Sequence, residues 1–176
     1  MFMSLIRNRR SVREYTGQPV EKEKIDALVE TALRAPSSRS VNPWEFIVVT
    51  DKSLLEKLSM AKPHGASFLK HASLGIVVCG DTGKSDVWIE DTAIASVFLH
   101  LAAGSLGLGS CWIQIRERMH GDGRSAGEYI ADLLDIPSRL AVESIIAVGY
   151  PGQTKSPHAR DTLQDEKVHY NRYGNQ

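Results

Sequence analysis

The stretch from Ile89 to Leu106 most constrains how this chain can fold. It reads as one long helix, rich in alanine and apolar on most of its circumference. A helix without a polar side must be buried, either at the centre of a domain or in an interface. Its surroundings supply apolar partners. The runs Glu45–Thr50 (EFIVVT), Leu74–Gly80 (LGIVVCG), Ser110–Ile115 (SCWIQI) and Glu143–Gly149 are short, apolar and bounded by turn residues, so they read as four strands. Ile25, Leu28, Val29, Ala32 and Leu33 make one helical stripe bracketed by Pro19 and Pro36. Residues 3–8 fit a short opening helix, and Ser125–Leu134 a later one. Ser53 and Glu56 have the spacing of a capping box and open a helix through Leu58. Residues 61–70 read as a loop or mobile segment. Alternating helices and buried strands predict an α/β or α+β sandwich, in one domain over residues 1–176.

Charge excludes some partners. Lysine plus arginine equals aspartate plus glutamate at 21 each, so no global bias favours nucleic acid or an anionic membrane. The best apolar run, Ile94 to Gly104, is interrupted by His100 and falls short of the ~18–20 residues that span a bilayer. Arg7, Arg9, Arg10 and Arg13 are followed by no apolar segment of the kind a secretory leader needs. Cys79 and Cys111 lie inside apolar runs and read as buried free thiols, which fits a reducing cytoplasm. The six histidines lack metal-binding spacing. Gly104, Gly107 and Gly109 close a helix and precede a strand, the reverse of a dinucleotide fingerprint, so they read as a helix stop.

Overall neutrality makes the local cluster Arg9-Arg10-Ser11-Val12-Arg13 informative. If the first helix ends here, Arg9 and Arg13 share a face, and like charges so placed repel by a few tenths of a kcal/mol. Guanidinium forks beside a serine hydroxyl suit a phosphate, although a solvated basic patch reads equally from these residues alone. The segment Pro36-Ser37-Ser38-Arg39-Ser40-Val41-Asn42-Pro43 is a rigid loop of short donors and acceptors. It fits either a contact with a heteroaromatic ring or an ordinary helix-to-strand connection. Gly149-Tyr150-Pro151-Gly152 reads as a turn able to bring backbone close to a ligand. Beyond it the chain is polar and irregular until the aromatic stretch containing Val168, Tyr170 and Tyr173. So apolar-poor a tail buries little by itself and is expected to lie over another surface.

Taken in order, RRSVREYTGQPV (9–20), APSSRSVNPWEFIVVTD (35–51), HASLGIVVCGD (71–81), WIEDTAIASVFLHLAAGSLGLGSCWIQIR (88–116) and IIAVGYPGQ (145–153) resemble the nitroreductase family. The resemblance covers nearly the whole chain. It implies an α+β fold, a three-layer α/β/α sandwich with a mostly antiparallel central sheet, in an intertwined homodimer. Residues from about 152 to 176 would form an arm over the partner subunit. It further implies two FMN sites at the interface, with NADH or NADPH as electron donor and a small aromatic, quinone or nitro compound as acceptor in a ping-pong scheme. By position, Arg9 and Ser11 would hold the phosphate and ribityl chain with Arg10 beside them. Arg13 would lie near the pyrimidine end of the flavin. Pro36, Ser37, Ser38, Ser40 and Asn42 would reach the ring from the partner subunit or their own, the backbone of Gly149 and Tyr150 would approach its N5 edge, and Lys167 would be the C-terminal phosphate ligand. The loop departs from the family's usual Asn-x-Gln before Pro-Trp, having Ser40-Val41-Asn42. The competing readings are a flavin-binding dimer without turnover, and a specialised flavin enzyme of the dehalogenase or flavin-consuming type.

Overall fold

The structure is a computed structural model and describes residues 2–175. In chain order the elements are α1 (Phe2–Asn8), α2 (Lys22–Leu33), β1 (Trp44–Val49), α3 (Lys52–Ser59), β2 (Leu74–Asp81), α4 (Trp88–Ser105), β3 (Gly109–Gln114), α5 (Ala126–Leu133) and β4 (Leu140–Gly149). The four strands make one sheet in the order β1-β2-β4-β3, with every neighbouring pair antiparallel.

Alternation along the central strands explains the layers, because successive side chains point to opposite faces. Ile76 and Val78 of β2, with Ile146 and Val148 of β4, meet Leu28 of α2 and Leu99 of α4 on one face. Val77, Cys79, Ile145 and Ala147 meet Leu55, Leu58, Leu69 and Ile130 on the other. Both faces are covered, which is why every residue of β2 is buried and its sequence reads as an unbroken apolar run. The result is the expected α/β/α sandwich.

Helix α4 divides its apolar surface between two environments. Ala95, Leu99 and Ala103 are fully buried, while Ile94 and Val97 remain 40% and 49% exposed. Phe2, Met3 and Ile6 of α1 are exposed as well. Within a single chain, only half of the all-apolar helix is covered. Its end behaves as expected: Gly107 takes a positive φ, and the Leu108 N–H donates to the Ala103 carbonyl at 2.8 Å. Among the described residues no helix is long and apolar enough to cross a membrane.

One local reading is corrected and another narrowed. Helix α3 is capped by Asp51, whose carboxylate accepts from the Leu54 N–H at 2.9 Å. Ser53 instead donates to the same carboxylate, so the Ser53–Glu56 spacing is not used. Residues 61–70 form the expected loop, and a packed one: Ala66 and Leu69 are fully buried around the short 3-10 turn Ser67–His71. The capping box is found on α5, where Ser125 and Glu128 cap each other's backbone.

Candidate functional site

The basic segment after α1 does not extend the helix. It runs along the outer edge of β3, where Ser11 bridges Ser110 in parallel and the Val12 N–H donates to the Ser110 carbonyl at 2.9 Å. Gly109 permits this approach, because a Cβ there would lie 2.8 Å from Val12 Cβ. The chain leaving β4 closes over the other side. Tyr15 bridges Pro151, and the Gly152 N–H donates to the Glu14 carbonyl at 2.8 Å. The Gln153 side-chain oxygen accepts from the backbone N–H groups of Arg13 and Glu14 at 3.1 and 3.0 Å. Lys155 Nζ donates to the Ser11 carbonyl at 3.0 Å, and the Arg10 guanidinium donates to the Ser156 carbonyl. These contacts border a groove of about 300 Å³ whose lining includes Arg9, Arg10, His100, Ser110, Gln153 and Lys155.

The electrostatics of this edge are one-sided. Arg13, Lys155 and Lys62 all act on the Cys111 thiol, and Arg118 acts on Lys62. Burial, reinforced by Arg118, lowers the Lys62 ammonium below its usual range. Among the described residues, Arg9, Arg10, Arg13, Lys62, Arg118 and Lys155 form no ion pair. Arg13 lies 5.8 Å from the Phe68 ring centroid. Mutual repulsion among such cations is relieved by an anion. Burial pushes the Cys111 thiol up, outweighing the three cations, so it is a poor nucleophile at neutral pH. Tyr15 is pushed above the usual phenol range, chiefly by burial, and its hydroxyl donates to the Val12 carbonyl at 2.8 Å.

Beyond Ser110, the outer edge of β3 has no strand partner among the described residues. The Ser110 carbonyl faces outward to Val12, so by two-residue alternation the backbone N–H groups of Trp112 and Gln114 do too. A row of cations therefore adjoins a row of unpaired backbone donors, a setting for a phosphate joined to a flat hydrogen-bonding ring.

The 36–42 loop is built as a rigid unit. Ser37 Oγ donates to Asn42 Oδ1 at 2.7 Å and accepts from the Asn42 N–H at 2.9 Å. The Ser38 N–H donates to Asp91 at 2.8 Å, and Arg39 pairs with Asp86 at 2.7 Å. Arg39, Ser40 and Asn42 have φ of 52°, 54° and 49°, a sparsely populated region for side-chain-bearing residues. Asp91, in the first turn of α4, is 2% exposed and anchors this loop.

The loop enters β1 at Trp44, opposite Gly80, whereas the basic groove lies where Gly109 pairs with Gly149 and Leu74 with Val148. Six residue steps along β2, roughly 20 Å, separate the two ends. Within one chain the structure thus brings Arg9, Arg10, Ser11 and Arg13 together but keeps Pro36, Ser37, Ser38, Ser40 and Asn42 apart from them.

Gly149, Tyr150 and Lys167 do not line the groove. Gly149 is covered, since a Cβ there would lie 3.0 Å from the Tyr15 ring. Tyr150 turns toward α2, its hydroxyl donating to Glu21 at 2.7 Å and accepting from Lys24 at 2.6 Å. Lys167 lies in an exposed 3-10 turn (Asp165–Lys167) of the tail, and Lys155 is the tail lysine beside Ser11. Sequence reading missed Lys155, Gln153, Lys62 and His100. Only Lys155 carried a signal, as the first cation after the Pro151–Gly152 turn.

The pattern described as the Nitroreductase family matches residues 6–62 and 59–150. An "FMN-dependent Nitroreductase" from Clostridium difficile R20291 superposes with a TM-score of 0.95 at 46% identity, covering 97% of this chain and 99% of that one. A provisionally named NADH dehydrogenase/NAD(P)H nitroreductase of Methanothermobacter thermautotrophicus is 34% identical over 97% of this chain and 87% of its own length. An "FMN reductase [NAD(P)H]" of Bacillus subtilis is 28% identical over 95% of this chain and 72% of its own length. The family match covers most of the chain in the order of its elements, and the fold agrees: this chain belongs to the nitroreductase family.

Proposed function

We propose that the chain is an FMN-dependent NAD(P)H oxidoreductase whose complete site is assembled from two copies. The observation that carries this reading is the set of six cations near the outer edge of β3 that form no ion pair among the described residues. In a chain of balanced charge, that arrangement fits a phosphorylated planar cofactor. The relatives' names, FMN-dependent nitroreductase and FMN reductase, support the same cofactor and the use of NAD(P)H.

When bound, FMN supplies hydride and electron chemistry, and the protein supplies position and field. Arg9, Arg10, Ser11 and Lys155 would hold the phosphate and ribityl end. Arg13 and Lys62 would offer positive charge to the pyrimidine end, where electron uptake builds negative charge. The Trp112 and Gln114 N–H groups supply directional donors. Pro36, Ser37, Ser38, Ser40 and Asn42 would come from the second copy, because a mononucleotide is shorter than the distance from their own chain's groove. Residues 152–156 stay on their own chain's basic segment, and residues 157–175, mostly exposed here, would lie over that copy. No protein nucleophile is required, in keeping with the raised Cys111 thiol. NAD(P)H and a small aromatic, quinone or nitro acceptor would take turns over the same exposed face, a ping-pong order.

The test is anaerobic stopped-flow reduction of the purified yellow protein with NADH and NADPH, then reoxidation against nitroaromatics and quinones. Bleaching by at least one nicotinamide and parallel double-reciprocal plots are expected. Flavin colour without bleaching would favour a binding protein without turnover, and failure to retain FMN would overturn the reading altogether.

A further inference from the structure

His100 lies on the sheet-facing side of α4 and is 9% exposed. Its Nδ1 is 2.7 Å from the Ser110 hydroxyl, while the Ser110 carbonyl accepts from Val12. One serine therefore joins α4, β3 and the segment carrying Arg9. Burial, with Arg9 adding its repulsion, pushes the imidazole down to about 4, so the ring is neutral near pH 7. A neutral imidazole has one N–H and one acceptor nitrogen. In the tautomer in which the Ser110 hydroxyl donates to Nδ1, the proton resides on Nε2, which has no hydrogen-bond partner among the described residues. The ring lines the same groove as Arg9, Arg10 and Lys155, whose described lining contains no acidic side chain. A neutral donor placed among cations adds a hydrogen bond to an anion without adding repulsion when the groove is empty.

We infer that His100, oriented by Ser110, is a phosphate-recognising residue of the groove, its Nε2–H completing the cradle formed by Arg9 and Lys155. The inference rests on the FMN reading above and adds a ligand residue from inside α4.

The test compares FMN with riboflavin, which lacks the phosphate, on the full-length chain freed of flavin. Fluorescence titration of the His100→Phe variant is expected to show FMN affinity falling roughly tenfold to a hundredfold. Riboflavin affinity should stay within about threefold, and His100→Gln should restore most of the FMN affinity. Should His100→Phe not fold, nitrogen NMR of the wild-type imidazole decides. FMN and inorganic phosphate should both shift the Nε2 resonance of a neutral ring, and riboflavin should not. Equal losses for the two flavins, no loss for either, or an Nε2 signal indifferent to phosphate would overturn the role of His100. Equal wild-type affinity for FMN and riboflavin would also overturn it while leaving the flavin reading intact. Binding of neither flavin would remove both.

Discussion

Arg9 and Lys155, from nearly opposite ends of the chain, line the same groove. Each is expected to make a charge-assisted contact with a phosphate. Arg9→Ala should therefore weaken FMN retention by about 1.5–3 kcal/mol, read by fluorescence titration. Lys155→Met should act in the same direction, whereas Lys167→Met should leave affinity unchanged. The opposite ranking of the two lysines would restore Lys167 as the ligand. His100 has a consequence for stability too. Its folded value, near 4, lies below the 6.5 of an unconstrained imidazole, so the unfolded chain binds more protons between those limits. Stability of the flavin-free protein should rise with pH through that window and fall on acidification. The loss at the acid end is on the order of 3 kcal/mol. Thermal melts from pH 4 to 7 should show a flatter profile in His100→Gln than in wild type.

At the scale of elements, packing of the basic segment on β3 depends on one missing side chain. Gly109→Ala would drive a methyl into Val12, costing about 1–3 kcal/mol of stability. It should also loosen FMN by lifting Arg9 and Ser11 from the strand edge; a variant with lowered melting temperature but unchanged FMN affinity would separate the two. Asp51→Ala should cost about 1 kcal/mol through loss of the α3 cap, and Ser53→Ala much less, measured by denaturant unfolding. Strands were legible from the residues because β2 and β4 are buried on both faces and leave continuous apolar runs. The α3 cap was misread since Asp51 and Ser53 are both good capping residues, and only backbone geometry chooses between them. The Gly149–Tyr150 turn was legible, but the direction of the Tyr150 ring was not, because it depends on Glu21 and Lys24 in α2.

At the scale of the molecule, two observations support the proposed second copy. Ile94 and Val97 on α4, with Phe2 and Ile6 on α1, leave an apolar face open to water. The 36–42 loop and the basic groove lie at opposite ends of one sheet and meet only if two sheets are brought together. Ile94→Glu combined with Val97→Glu should yield a folded monomer by light scattering that no longer retains flavin. A monomer that keeps FMN tightly would place the whole site within one chain.

The sequence alone determined the layered α+β architecture, the position of the basic cluster and the family, because periodicity, turn residues and motif order are local or sequential properties. What only the tertiary structure decided is which distant residues share a groove. Lys155 rather than Lys167 beside Ser11, the burial of His100 against Ser110, and the separation of the 36–42 loop from Arg9 all follow from antiparallel strand order. Strand order sets which chain ends become neighbours, and long-range adjacency of that kind leaves no mark in the spacing of residues along the chain.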